Sequence, residues 1–280
     1  MKEKELRETN ELKSEFPEFL QFPVDWRHSK TLMNETALKE LLFRLADDEV
    51  VVGHRNAEWT GHGPILEEDI AFSSMAQDEI GHAQIYYSLL HDLGEAEPDQ
   101  LAFNRASADF RCAQLVELPK GDWAFSVARQ FLYDAAETVR LAALSHSSYQ
   151  PLAQAARKFA GEEKYHFMHG KSWIANLGNA TPESRAKLQA GLDQAFPYAL
   201  GLFEMTDADA AIVAEGSQAS EVELKKDWLA LITPIVTQAG LTLPDAAPIE
   251  GGRRGRHTEH LVALLNDMQL VFQTDPEATW

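Results

Sequence analysis

The sequence predicts an all-α protein: two long antiparallel helical hairpins joined by a long crossover, with additional helices toward the C-terminus. Three observations carry this. Apolar residues recur at i, i+3, i+4 and i+7 through the long segments, with no sustained apolar/polar alternation. Glycine and proline fall mostly between those segments. Helix-start residues stand where the periodicity begins: Asp122 before "WAFSVARQFL", Thr181 before Pro182, and Ser220 with Glu223 three positions on.

Taken in order, residues 1–30 read as an N-terminal arm and 31–280 as a single helical domain. Helix A is expected from about residue 32 to about 60, stopping at "GHGP". Helix B takes Pro64 as a first-turn residue and closes at Gly94. Residues 95–121 form the crossover, with one short helix around "SADFRCAQL". Helix C opens on the N-cap Asp122, and helix D runs from Pro151 to near Gly178. Helix E follows Thr181, with Pro197 expected to kink or divide it. Helix F opens on the Ser220/Glu223 capping box, with Pro234 expected to interrupt it. "LPDAAPIEGGRRGR" reads as a loop, and "TEHLVALLNDMQLVFQ" as a last helix.

Composition narrows the function classes. Of the 280 residues 45% are hydrophobic and 25% charged, enough for a large core, and the net charge is −19. That field repels phosphates and anionic membrane surfaces, so no nucleic-acid partner is expected. The charged N-terminus has no apolar signal segment, and no apolar run reaches the roughly 18 residues of a membrane span. A cytoplasmic protein is expected. Cys112, the one cysteine, fits a reducing compartment and reads as a core residue. A homo-oligomer is expected because long amphipathic helices often expose a second apolar face.

Chemistry enters at "QDEIGHAQ", where Glu79 and His82 leave one helix face at i and i+3. A second such pair, Glu163 and His166, lies in "GEEKYHFMHG". With 27 Glu and 10 His in the chain, about one E-x-x-H match arises by chance, so spacing must decide. A dinuclear metal site in a four-helix bundle takes E-x-x-H from two helices and one carboxylate from each of the others. Glu49 precedes Glu79 by 30 positions and Asp134 precedes Glu163 by 29. Asp134 and Glu163 lie roughly 20–23 Å up their helices from the intervening turn, level with each other. Glu49 and Glu79 differ in level by about one turn. Moreover, Glu49, Glu79 and His82 recur as Asp134, Glu163 and His166 at offsets of 85, 84 and 84 positions. Unpartnered buried acids cost several kcal/mol each, whereas four carboxylates and two imidazoles around two cations largely cancel their charge.

The alternative is that these six residues form a solvated or ion-paired polar face. Glu137, one turn from Asp134, rivals it as fourth carboxylate, and Asp47 and Asp48 rival Glu49. Asp78 and Glu162 point some 100° from their neighbouring ligands and suit contacts behind them. His169 is expected behind the site or at the surface. Tyr86, Tyr87, Tyr133 and Tyr165 are expected in aromatic packing. The oxygen-rich donor set suits iron first and manganese second, rather than zinc or copper(I). Two ferrous ions can deliver two electrons to O₂. No phosphate-binding or dinucleotide motif is present, so a separate reductase is expected.

The runs "LADDEVVVGHRNAEWTGHGPILEEDIAFSSMAQDEIGHAQ", "RQFLYDAAET", "EEKYHFMHG", "LFEM" and "GRRGRHTEHLVALLNDMQ" resemble the phenylacetyl-CoA epoxidase (phenylacetate-CoA oxygenase) family, specifically its C-type subunit. "EWTGHGPILEEDIA" and "GRHTEHL" are the distinctive parts. The resemblance implies a ferritin-like fold and a place in a multicomponent bacterial monooxygenase that epoxidises the ring of phenylacetyl-CoA. It implies an A-type partner carrying the catalytic di-iron site, a separate reductase and an acyl-CoA substrate. C-type subunits generally have degenerate metal positions, whereas this chain holds all six residues. Two readings follow: a partner subunit that docks a catalytic paralogue, or a di-iron oxygenase acting on its own substrate. Iron storage and a ribonucleotide-reductase role fit less well. Arg253, Arg254 and Arg256 are expected either to meet an acidic partner or CoA phosphates, or to be a solvated loop.

Overall fold

The computed structural model describes residues 34–275; the arm expected over 1–30 lies outside them. Helices α1 (Glu35–Ala57) and α2 (Leu66–Asp92) form the first hairpin. The crossover holds α3 (Pro98–Phe103), a 3₁₀ turn at Ser107–Asp109 and α4 (Gln114–Glu117). The second hairpin is α5 (Trp123–Leu144) with α6 (Gln150–Ala180). After it come α7 (Pro182–Leu200), α8 (Asp209–Ala214), α9 (Glu221–Gln238), α10 (Glu259–Met268) and α11 (Leu270–Thr274). Helix α2 packs on α6, which joins the hairpins, while α7 and α9 pack against α5 and α6. The fold is the all-α, ferritin-like bundle with extra C-terminal helices, and the described residues contain no strand. None of their helices is long and apolar enough to cross a membrane.

Sequence chemistry sets the helix starts. Asp122 accepts from Phe125 N at 2.8 Å, and Thr181 and Ser220 form capping boxes with Ser184 and Glu223. Helix α2 has no side-chain cap at Ile65, but Glu67, Glu68 and Asp69 in its first turn favour the positive end of the helix dipole.

Two glycines set the hairpin spacing. A Cβ on Gly53 would stand 2.9 Å from Ile80 Cγ1 and 3.2 Å from Glu79 Cβ, so α1 closes on α2 beside Glu79. A Cβ on Gly170 would stand 3.1 Å from Phe131 Cα and 3.6 Å from Asp134 Oδ2, so α6 closes on α5 beside Asp134. Outside the hairpins, Trp228 of α9 is fully buried, stacks on Phe196 of α7 and donates to Leu132 O of α5 at 3.0 Å.

Several expected boundaries shift. Pro64 precedes α2 instead of opening it. Pro197 and Pro234 lie inside continuous helices. Each removes a bond to the carbonyl four residues back, on Asp193 and Ala230; both residues are exposed, so water can satisfy those carbonyls while the opposite faces stay packed. The crossover holds two α-helices around its 3₁₀ turn, α8 forms where the sequence predicts no helix, and the last helix breaks at Gln269.

Candidate metal centre

Helix α1 carries three consecutive buried acids, and their partners separate their roles. Asp47 accepts from Tyr87 Oη and Arg111 N, each at 2.6 Å, and pairs with Arg105. Asp48 accepts from Ala113 N at 2.7 Å and Arg253 Nη2 at 2.6 Å. Glu49 Oε2 is buried with no hydrogen-bond partner. Only Glu49 is left free to face the bundle interior.

There the helices bring together two triplets, Glu49/Glu79/His82 and Glu79/Glu163/His166, each with one potential ligand atom per residue, all within 4.8 Å of one another. Glu79 belongs to both. Its Oε2 lies 3.5 Å from His82 Nδ1 and its Oε1 lies 3.5 Å from His166 Nδ1. Glu49 Oε2 stands 3.6 Å from His82 Nδ1, and Glu163 Oε2 stands 3.3 Å from His166 Nδ1. Both imidazoles therefore direct Nδ1 at the carboxylates.

Their other nitrogens are held crosswise. His82 of α2 donates from Nε2 to Glu162 of α6 at 2.8 Å, and His166 of α6 donates from Nε2 to Asp78 of α2 at 3.1 Å. Asp78 and Glu162 differ by the same 84 positions as the E-x-x-H pairs, so the repeat includes the orienting acids. A carboxylate behind an imidazole fixes its tautomer and leaves the facing nitrogen's lone pair for a metal. Phe159 stacks on His82 with ring centroids 3.9 Å apart.

The donor atoms lack partners that a metal would supply. Both oxygens of Glu79 and Glu163, Oε2 of Glu49, Oδ2 of Asp134 and Nδ1 of His166 are buried without hydrogen bonds. Burial, then the charge of Glu79, pushes Glu49 well above the usual carboxylate range; burial, then Glu163, does the same to Asp134. Glu163 is raised chiefly by burial. Against the burial that opposes it, His82 is pushed up to about 12 by Glu162, Glu49 and Glu79, and His166 is raised by Glu163 and Glu79. Without cations the cluster retains protons; two divalent cations would displace them and satisfy the orphaned oxygens. The residues fit a dinuclear centre of hard cations.

Asp134 stands outside both triplets. Its Oδ1 accepts from Gln130 at 2.6 Å and its Oδ2 is free. Its rival Glu137 is tied to Arg140, 3.3 Å away, which also binds Glu221 at 2.9 Å. Each acid keeps one buried oxygen without a partner, Oδ2 of Asp134 and Oε2 of Glu137, but only Glu137 is held by an arginine. Beside the cluster, the hydroxyls of Tyr86 and Tyr133 are also buried without partners. His169 binds Glu68 at 2.6 Å, and Tyr165 is exposed instead of packed.

Sequence reasoning missed Arg140 and its link from Glu137 to α9, because nothing local marks a pairing across 81 positions. The arginine cluster also needs correction. Arg253 is buried on Asp48, while Arg254 pairs with Glu204 at 3.2 Å. Arg253 thus folds the C-terminal segment onto α1, and Arg254 ties it to the loop that follows α7.

Fold and site together define a helical-bundle protein with a buried carboxylate/histidine cluster suited to two metal ions. The chain belongs to the family described as Phenylacetic acid catabolic protein, which matches residues 24–280. It is 34% identical over 239 residues to the C-type subunit of 1,2-phenylacetyl-CoA epoxidase from Escherichia coli (strain K12), covering 85% of this chain and 96% of that protein. It is also 25% identical over 231 residues to the A-type subunit of the same epoxidase, covering 80% of this chain and 72% of the relative.

Proposed function

We propose that this chain is a subunit of a multicomponent oxygenase of phenylacetate catabolism that epoxidises the ring of phenylacetyl-CoA, and that as a C-type member it holds its own pair of iron ions. The observation that carries this is Glu79 lying between two histidines, inside a cluster of unpartnered buried carboxylates, in a chain similar to both the C-type and the A-type subunits of an epoxidase. Its partners in this reading are a reductase, an acyl-CoA and an A-type subunit.

Two irons held by Glu49, Glu79, His82, Asp134, Glu163 and His166 would supply reductive activation of O₂. The chain's own residues do the rest. Glu79 faces both histidines and would contribute ligand oxygens to the site. Glu162 and Asp78 hold the imidazole rings, so each Nδ1 keeps its aim. Phe159, Tyr86 and Tyr133 wall the cluster against bulk water. The Tyr86 and Tyr133 hydroxyls are uncommitted donors beside the carboxylates.

The alternative is an autonomous oxygenase with another substrate, and the complete ligand set favours it. Co-expression with a tagged A-type subunit separates the two. Joint purification, with reductase-dependent oxidation of phenylacetyl-CoA only by the pair, is the expected result. Turnover by this chain with reductase alone would establish autonomy, and absence of any complex would overturn the subunit reading.

A further inference from the structure

A second group of ligand-type side chains lies away from the bundle centre, where the crossover meets the C-terminal segment. Cys112 and Glu117 come from the end of the crossover, and His257 from the loop that enters α10. Cys112 Sγ is 3.9 Å from His257 Nδ1 and 4.0 Å from Glu117 Oε1, and those two atoms are 2.6 Å apart. The Cys112, Glu117 and His257 side chains are all buried.

What lies behind these atoms matters as much as their convergence. His257 donates from Nε2 to Phe110 O at 3.0 Å, which leaves Nδ1 facing the thiol and the carboxylate. Glu117 Oε2 accepts from Thr258 N at 2.6 Å and Thr258 Oγ1 at 2.7 Å, which leaves Oε1 facing the same point. Each outer atom is fixed by a neighbour and each inner atom is turned to one place, the arrangement that orients metal ligands.

We propose that Cys112, Glu117 and His257 form a zinc site that clasps the C-terminal segment to the crossover. Tetrahedral zinc, with bonds of about 2.3 Å to sulfur and about 2.0 Å to nitrogen and oxygen, places sulfur about 3.5 Å from the other two donors and those two about 3.3 Å apart. The observed sulfur distances need a contraction of a few tenths of an ångström. The His257–Glu117 hydrogen bond must open by somewhat more. Coordination displaces the thiol proton and the proton held between His257 and Glu117, and a water completes the fourth position. The mixed sulfur, nitrogen and oxygen donors select zinc, in contrast to the oxygen-rich set in the bundle. The clasp would join elements that already meet: Arg55 of α1 donates both to Glu117 O, at 2.7 Å, and to His260 O, at 3.0 Å, so the same spot gathers α1, α4 and α10.

Cys112 is the chain's sole cysteine, which makes the test unambiguous. Chelator-treated full-length protein is titrated with Co²⁺ and followed by near-ultraviolet absorption. A sulfur-to-cobalt charge-transfer band is expected, bleached by Zn²⁺, retained in Glu79→Ala and lost in His257→Ala. If the His257 variant fails to fold, the wild-type spectrum still decides, since no other thiol can give the band. Folded wild-type protein with no such band at saturating Co²⁺, or a band that persists in folded His257→Ala, overturns the proposal.

Discussion

His82 and Glu162 are hydrogen-bonded across the two hairpins, Nε2 to Oε2 at 2.8 Å, and the symmetry-like contact of His166 with Asp78 runs the opposite way at 3.1 Å. Each E-x-x-H pair is therefore oriented by the acid that precedes the other pair's glutamate. Replacing Glu162 with Gln, or Asp78 with Asn, keeps the size and removes the charge behind one imidazole. Metal affinity should fall by about 10–100-fold in either variant, measured by competition with a chelating dye. Both residues are partly exposed (side chains 41% and 35%), so helix content should be unchanged.

Glu137 gives the metal-free protein a pH dependence. Burial, only partly offset by Arg140, pushes it up from 4.5 to about 8. Between those values the folded protein keeps a proton that the unfolded chain has released. This group's contribution to stability is thus fully present below pH 4.5 and lost as pH rises through about 8. The Tm of chelator-treated protein should fall across that interval, more steeply in wild type than in Glu137→Gln. Equal slopes in the two proteins would count against the assignment.

Gly53 sits where α1 touches α2 beside Glu79, with no room for a Cβ. Gly53→Ala should cost about 1–3 kcal/mol in denaturant unfolding. It should also lower metal retention, because it shifts Glu79 against Glu49.

Trp228 provides a contrast remote from the cluster. It is fully buried against Phe196 and Phe203, and Trp228→Ala should cost about 3–5 kcal/mol by chemical denaturation. Bound metal per folded chain should not change.

What was legible in the sequence follows from how local its cause is. The caps at Asp122, Thr181 and Ser220 act within three residues, and each opens a helix as expected. The 84-position offset between the E-x-x-H pairs could be read because a repeated hairpin repeats its spacing. Pro197 and Pro234 misled because local propensity marks a break, while the packing of Phe196, Trp228 and Ile232 on the buried faces holds the helices continuous. The separation of Asp47, Asp48 and Glu49 depended on partners far along the chain: Arg105, Arg253 and the Nδ1 of His82. Nor could local pattern place Cys112 beside His257, 145 positions away.

Metal content tests the central claim most directly. The chain is purified from iron-supplemented cells, alongside Glu79→Ala and His166→Ala. About two irons per wild-type chain, lost in both variants with helical content retained, is the predicted result. Well-folded wild-type protein that binds no iron would contradict the account and leave this chain as a metal-free partner of its A-type relative.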